Sequence, residues 1–559
     1  MSIFPVWVIG GIYWSIHCAI CLAITSYCAG ESLWTPAFHV ALLKNTIAYD
    51  ALMNHHGLDW CYRVVAGGPD YKVKFIVGSI KESFYNIAGN RRTVVDIAMH
   101  CVFDLVRVWL IVSNDPTPAC GLCFFLTQAW MYLCDHNEYI VMYGMYHGPW
   151  SVYVLAEYTT GGGGGGLPIL QYLLVLLYIG CGLGKMGPWF VAVFNQEWTL
   201  PPWGKYCDLR PLLYNKDFPR DNTPSQLGVA GGYIAASSEW IAPLLLLMTP
   251  AVGFGAAGTL TTPVAIGIFI IVAMHIYINF HMPAFDVWML NFTPAYMVYN
   301  AFYCNKYLPE PGFDWAGFGA LAMPYQLFCA LFLAYCVYGH CFPENMTYMF
   351  CYRFWAGNWP MAWVLISESG YEKLLKAFPQ QAANGPPGDM LAKALGPSWA
   401  IMMLGLFLNA QLPNRAMPMV LHKAINYSAK ARGVKPAASL GQFLKEQKGW
   451  FGQGPLALGW VAGAVLNDSL VGNKLLPEMQ KEVNFEEGEF VHVVGHSFPV
   501  FGELFDATSR WTIHDAKAGL VEEGKMTVAE SKAVTRPSLW QGYEARGDKA
   551  ATGAAKKAQ

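Results

Sequence analysis

The chain alternates long apolar runs with short polar breaks, and most of the runs have the length of a membrane helix. They fall near residues 5–29, 95–113, 118–134, 137–157, 168–194, 227–249, 260–280, 285–303, 315–340 and 347–366, with a shorter one at 398–411. Roughly 18 apolar residues are enough for a helix to cross a hydrocarbon core about 30 Å thick. Strands cross only as a closed barrel, whose short alternating segments are not seen in these runs. The pattern predicts an all-α polytopic membrane protein of roughly 9–11 transmembrane helices. The first run has no basic flank and no small-residue cleavage site, so it reads as a membrane helix rather than a signal peptide.

The breaks predict the organisation. Residues 54–94 and the proline-rich loop 195–226 are polar and belong outside the hydrocarbon or beside a wet cavity. Gly161 to Gly166 reads as a linker with no preferred conformation. A helical membrane domain is expected over 1–412, followed by a helical or loop connector over 413–484. In 485–535 the pattern changes to alternating segments broken by glycine, EFVHVVGHSF and RWTIHDAKAGLVEEGKMTV, which predicts a small strand-containing appendage. Residues 536–559 have the composition of a disordered tail.

Composition agrees with the membrane reading and narrows the chemistry. Of 559 residues, 54% are hydrophobic and only 13% charged, against about 25% charged in soluble domains. The formal net charge of -2 gives no basic field for nucleic acid or a polybasic anchor. Most of the fifteen cysteines fall within apolar runs, where a thiol packs as a small hydrophobe. Cys120 and Cys123 form a lone CxxC with no second ligand pair at zinc spacing, so no metal site is expected.

Ionisable residues inside the apolar runs are the functional candidates, because charge at membrane depth is costly. Asp104 and Arg107 lie on one helical face and predict an intrahelical ion pair, with Asp96 near the helix end. His136, Tyr139, Tyr143 and His147 form one stripe of polar-tipped rings, which reads either as packing or as a hydrogen-bonded network. Lys185 follows the run PILQYLLVLLYIGCGL and precedes Gly187 and Pro188. It either snorkels to an interface or faces inward, where desolvation favours the neutral amine and makes it a base. Glu239 is a mid-span carboxylate beside Ser237 and Ser238, and Lys185 is one available partner. The segment HIYINFHMPAFDVWMLNF adds His275, Asn279, His281 and Asp286, with Pro283 expected to break the helix.

Three blocks in order resemble the membrane domain of the vitamin K-dependent gamma-carboxylase family and its bacterial relatives. DHNEYIVMYGM is similar to the family's NHxYLxxLL segment, GLGKMGPW to its GxxKL segment ending in tryptophan, and HMPAFDVWMLNF to its histidine-led segment ending in GxF. The likeness spans roughly residues 95–305. It implies that Lys185 is the base that deprotonates a hydroquinone, that His136 assists, and that His281 is the third-block histidine, with His275 as the rival alignment. Tyr139, Tyr143, Glu239, His275 and Trp189 would line the substrate site. The chain departs from the family in two respects. Gly184 stands where the family often has a second basic residue, and only a small C-terminal piece is present where the carboxylase has a large lumenal portion. A second likeness, in YRFWAGNW and DAKAGLVEEGKMTVAE, is to an uncharacterised transmembrane family common in actinobacteria.

Two functions are therefore expected from different classes. One is an intramembrane enzyme acting on a quinol or other lipid-soluble substrate, with oxygen and carbon dioxide as the co-substrates the resemblance implies. The other is a non-catalytic lipid- or quinone-binding protein or a scaffold subunit with protein partners in a membrane assembly. Both place the chain in a bilayer as a multi-pass integral protein.

Overall fold

In a computed structural model, the described residues are 4–33, 35–65, 94–113, 117–134, 147–187, 190–191, 194–195, 198, 209–214, 224–253, 260–281, 285–343, 362–377, 416–438, 442–443, 447, 450–453, 476–477, 479–481, 483–495 and 498–533. Ten long helices come first: α1 Phe4–Ala29, α2 Pro36–Val65, α3 Val94–Val112, α4 Pro118–Cys134, α5 His147–Thr159, α6 Leu167–Gly184, α7 Gln226–Leu246, α8 Thr262–His281, α9 Phe285–Tyr299 and α10 Met323–Cys341. Among the described residues three helical stretches are long and apolar enough by composition to cross a membrane: α6, α7 and Thr262–Asn279 of α8. Shorter apolar stretches among the described residues are Cys18–Ala29 of α1 and Pro118–Ala129 of α4.

α6 is the centre of the bundle. Pro168 in its first turn needs no hydrogen-bond partner for the N–H it lacks, and the leucine-rich run that follows continues the helix without a further proline. Of its 18 residues, 78% are buried, against 33% in the apolar window of α7 and 28% in that of α8. α6 is thus enclosed by protein. α7 and α8 expose Ile234 and Phe269 on their outer faces, where a bilayer covers apolar surface. One continuous core joins Leu170, Leu174 and Tyr178 of α6 to Phe124, Trp150, Ala242, Ile271 and Val298 of the surrounding helices.

The hexaglycine segment is an ordered turn, not the formless linker expected. Gly161, Gly162 and Gly164 take positive φ angles. The N–H groups of Gly164 and Gly166 donate to the two oxygens of the Glu157 carboxylate at 2.8 and 2.9 Å. A run of glycines lets successive N–H groups converge on one anion, which side chains would prevent. The turn delivers the chain into α6 and explains a carboxylate buried at the end of α5.

The C-terminal region is a five-stranded antiparallel sheet in the order β2-β1-β3-β4-β5, formed by β1 Ala362–Ile366, β2 Trp450–Gln453, β3 Phe490–Gly495, β4 Thr508–Asp515 and β5 Gly519–Thr527. Strand content was expected in 485–535. The candidate span 347–366 is corrected, because its end is β1, paired with β3 through Val364↔His492 and with β2 through Val364↔Gly452. An apolar strand buried on both faces has the same continuous hydrophobic signature as a membrane segment, and AWVLI alone does not distinguish them. After β1 comes α11 Glu368–Ala377, and α12 Ala416–Ala431 packs Val420, Leu421, Ala424 and Ile425 on Val491, Val493, Trp511 and Ile513. The candidate span at 398–411 lies outside the described residues.

Candidate functional site

The C-terminal end of α6 and the middle of α7 cross with almost no space between them. A Cβ on Gly182 would lie 2.6 Å from the backbone nitrogen of Trp240, so glycine is what permits the approach. This brings Lys185, at the C-cap of α6, against Glu239. The Lys185 ammonium nitrogen lies 2.5 Å from Glu239 Oε2, and the two side chains are only 12% and 6% exposed. Of the two orientations open from the sequence, Lys185 takes the inward one. Phe190 lies beside it, with the ring centroid 5.6 Å from Nζ. Ser237, one position from α7's Ser238, directs its hydroxyl to Met186 Sδ at 3.6 Å.

Two helical turns before Lys185, Tyr178 lies on the same side of α6 and begins a second network. Its hydroxyl contacts His275 Nε2 at 2.5 Å, and His275 Nδ1 contacts Asn291 Oδ1 at 2.6 Å. Because the amide oxygen only accepts, Nδ1 carries a proton. Both nitrogens of His275 are thus engaged. The two networks adjoin, for Lys185 lies within electrostatic reach of His275 and Glu239 within that of Tyr178.

One turn beyond His275, the buried Asn279 has neither amide atom hydrogen-bonded among the described residues, and the buried Trp240 indole N–H also has no partner among them. Such groups cost about 1–3 kcal/mol each if left unmet, so they mark places where a polar ligand atom would be accepted.

Of the residues the sequence singled out, the structure brings together Lys185, Glu239 and His275. His281 ends α8 and Phe285 begins α9; Pro283, expected to break the helix, and the His281 side chain lie outside the described positions. His136, Tyr139, Tyr143 and Trp189 also lie outside the described residues. Asp104 and Arg107 form the expected ion pair, at 3.2 Å. Cys120 is a buried free thiol in the core. Among the described residues no cluster of three or more histidine, cysteine or acidic side chains is arranged to hold a metal. Tyr178 and Asn291 were not anticipated, since a tyrosine or asparagine in an apolar run gives no signal until its partner is known. Gln171 was missed for the same reason. Its amide donates to the carbonyls of Ala301 and Gly312 at 2.7 and 2.9 Å and accepts from the Asp314 N–H at 2.8 Å, pinning the segment after α9 to α6.

The model of a family described as transmembrane proteins of unknown function, DUF3556, matches residues 167–543. The chain belongs to this family. The matched region begins at α6 and runs through the whole sheet, so the Lys185–Glu239 crossing and the C-terminal strands are parts of one family unit in an integral membrane protein. No curated protein and no solved structure matches the chain.

Proposed function

We propose that the protein is an intramembrane enzyme that takes a proton from a lipid-soluble, weakly acidic substrate, a quinol being the class the carboxylase-like blocks favour. The observation that carries this reading is the buried Lys185–Glu239 pair. As a base, Lys185 accepts in its amine form, with Glu239 beside it. The substrate hydroxyl then transfers its proton to Lys185 Nζ. The products are an ammonium paired with Glu239 and a substrate oxyanion held beside that ammonium. A preorganised cation in a water-poor site stabilises that oxyanion far better than water does. The unpartnered Asn279 amide and Trp240 N–H are the groups available to orient substrate oxygens. His136 and His281 are assigned their roles by the resemblance alone.

A second reading, a non-catalytic lipid- or quinone-binding protein, is favoured by His275, whose two nitrogens are already committed to Tyr178 and Asn291.

The test compares quinol oxidation by purified parent, Lys185→Ala and Lys185→Arg. Both variants are expected to be inactive, because arginine keeps the charge but does not shed its proton. Turnover by Lys185→Arg at the parent rate would remove the base. Binding of quinol by the parent without turnover would favour the second reading.

A further inference from the structure

The connection between β3 and β4 carries three large apolar side chains into the open: Phe501 is 53% exposed, Leu504 82% and Phe505 63%. The loop is held, not slack. Gly502 N–H donates to Pro499 O at 2.9 Å, Leu504 N–H to Phe501 O at 2.9 Å and Ala507 N–H to Gly502 O at 3.0 Å. The Asp506 carboxylate accepts from Ala529 N–H at 2.8 Å, tying the loop to the residues that follow β5. Phe501 and Asp506 have φ angles of 58° and 47°, in the left-handed region that non-glycine residues seldom occupy. The fold therefore sustains unfavourable backbone geometry where it displays these side chains.

The position of the loop identifies what covers it. Val500 N–H donates to the carbonyl of His340 in the last turn of α10, at 2.9 Å. One face of α10 carries an exposed row of Leu327, Leu331 and Tyr335, ending in the exposed aromatics Tyr338 and Phe342. α10 is not among the three stretches apolar enough to span, but in a transmembrane family an exposed apolar row ending in aromatic side chains suits the boundary between acyl chains and headgroups. The apolar loop continues that surface at the same end of the helix.

We propose that the loop Phe501 to Phe505 inserts into the headgroup–acyl boundary of the bilayer next to the end of α10. The sheet would then be anchored to the membrane surface by a rigid apolar wedge as well as by the chain that links it to the helices.

The full chain in phosphatidylcholine nanodiscs, with Phe505→p-benzoylphenylalanine as a photocrosslinker, tests this. Leu504→p-benzoylphenylalanine serves as a second variant, and the same substitution at exposed Glu523 on β5 serves as the control. After irradiation, the expected result is a phosphatidylcholine adduct on the peptide containing position 504 or 505 and none on the peptide containing 523. Absence of lipid adducts from both loop positions would overturn the proposal. So would crosslinking to a second copy of the chain, which would make the loop a protein interface.

Discussion

Glu239 and Lys185 are each expensive at membrane depth and are tolerable together, so removing one should cost more than removing both. Glu239→Ala removes the carboxylate held against the buried Lys185 and is expected to destabilise the protein by about 3–5 kcal/mol. Replacing both, as Lys185→Met with Glu239→Leu, is expected to be near neutral, because apolar side chains of similar volume fill the space without desolvation cost. Thermal melting in detergent checks this; a Glu239→Ala variant that melts with the parent would mean that the pair is solvated. The pair was legible in the sequence because charge inside an apolar run is conspicuous and each residue calls for a partner. Tyr178, Asn291 and Gln171 were not, since uncharged polar side chains recur in membrane helices and their meaning lies in contacts between distant segments.

Between helices, the geometry depends on small residues and on one turn. Gly182→Ala places a methyl group against the Trp240 backbone and is expected to cost about 1–3 kcal/mol by forcing α6 and α7 apart. It should impair any function of the Lys185–Glu239 pair more than it lowers the melting temperature, and parent-like activity would contradict the role given to this crossing. Glu157→Ala removes the acceptor for Gly164 and Gly166 and is expected to cost about 1–3 kcal/mol, read by the same melting assay. Unchanged melting would mean that the glycine turn holds without the carboxylate. Most of the helices were legible from apolar run length, but α2 was not, because its polar positions hide it among the breaks. β1 was not legible either, because a doubly buried strand and a short membrane segment share one composition, and the pairing that separates them involves β3, more than a hundred residues away. The hexaglycine turn was missed because glycine has no local preference; its order comes from an anion on the preceding helix.

The molecule as a whole joins an apolar bundle to a sheet with ordinary solution chemistry, and the two should respond differently to pH. On β4, burial holds the His514 imidazole below its ordinary value of about 6.5, and Arg510 adds to the effect. A depressed imidazole binds fewer protons folded than unfolded below that value, so the sheet's stability is full above about pH 6.5 and falls as the solution becomes more acidic. Amide exchange in β4 is expected to quicken on mild acidification and to lose part of that dependence in His514→Gln; identical pH profiles would contradict the assignment. The bundle's central claim, that Lys185 and Glu239 receive a lipid-soluble acid, is tested most directly by mass spectrometry of the lipids that co-purify with the full chain. The comparison is between the parent and the Lys185→Met, Glu239→Leu double variant, which is expected to keep the fold. The expected result is a quinol or other hydroxyl-bearing lipid that accompanies the parent and is lost from the double variant at equal melting temperature. The same lipid profile from both proteins would contradict the claim.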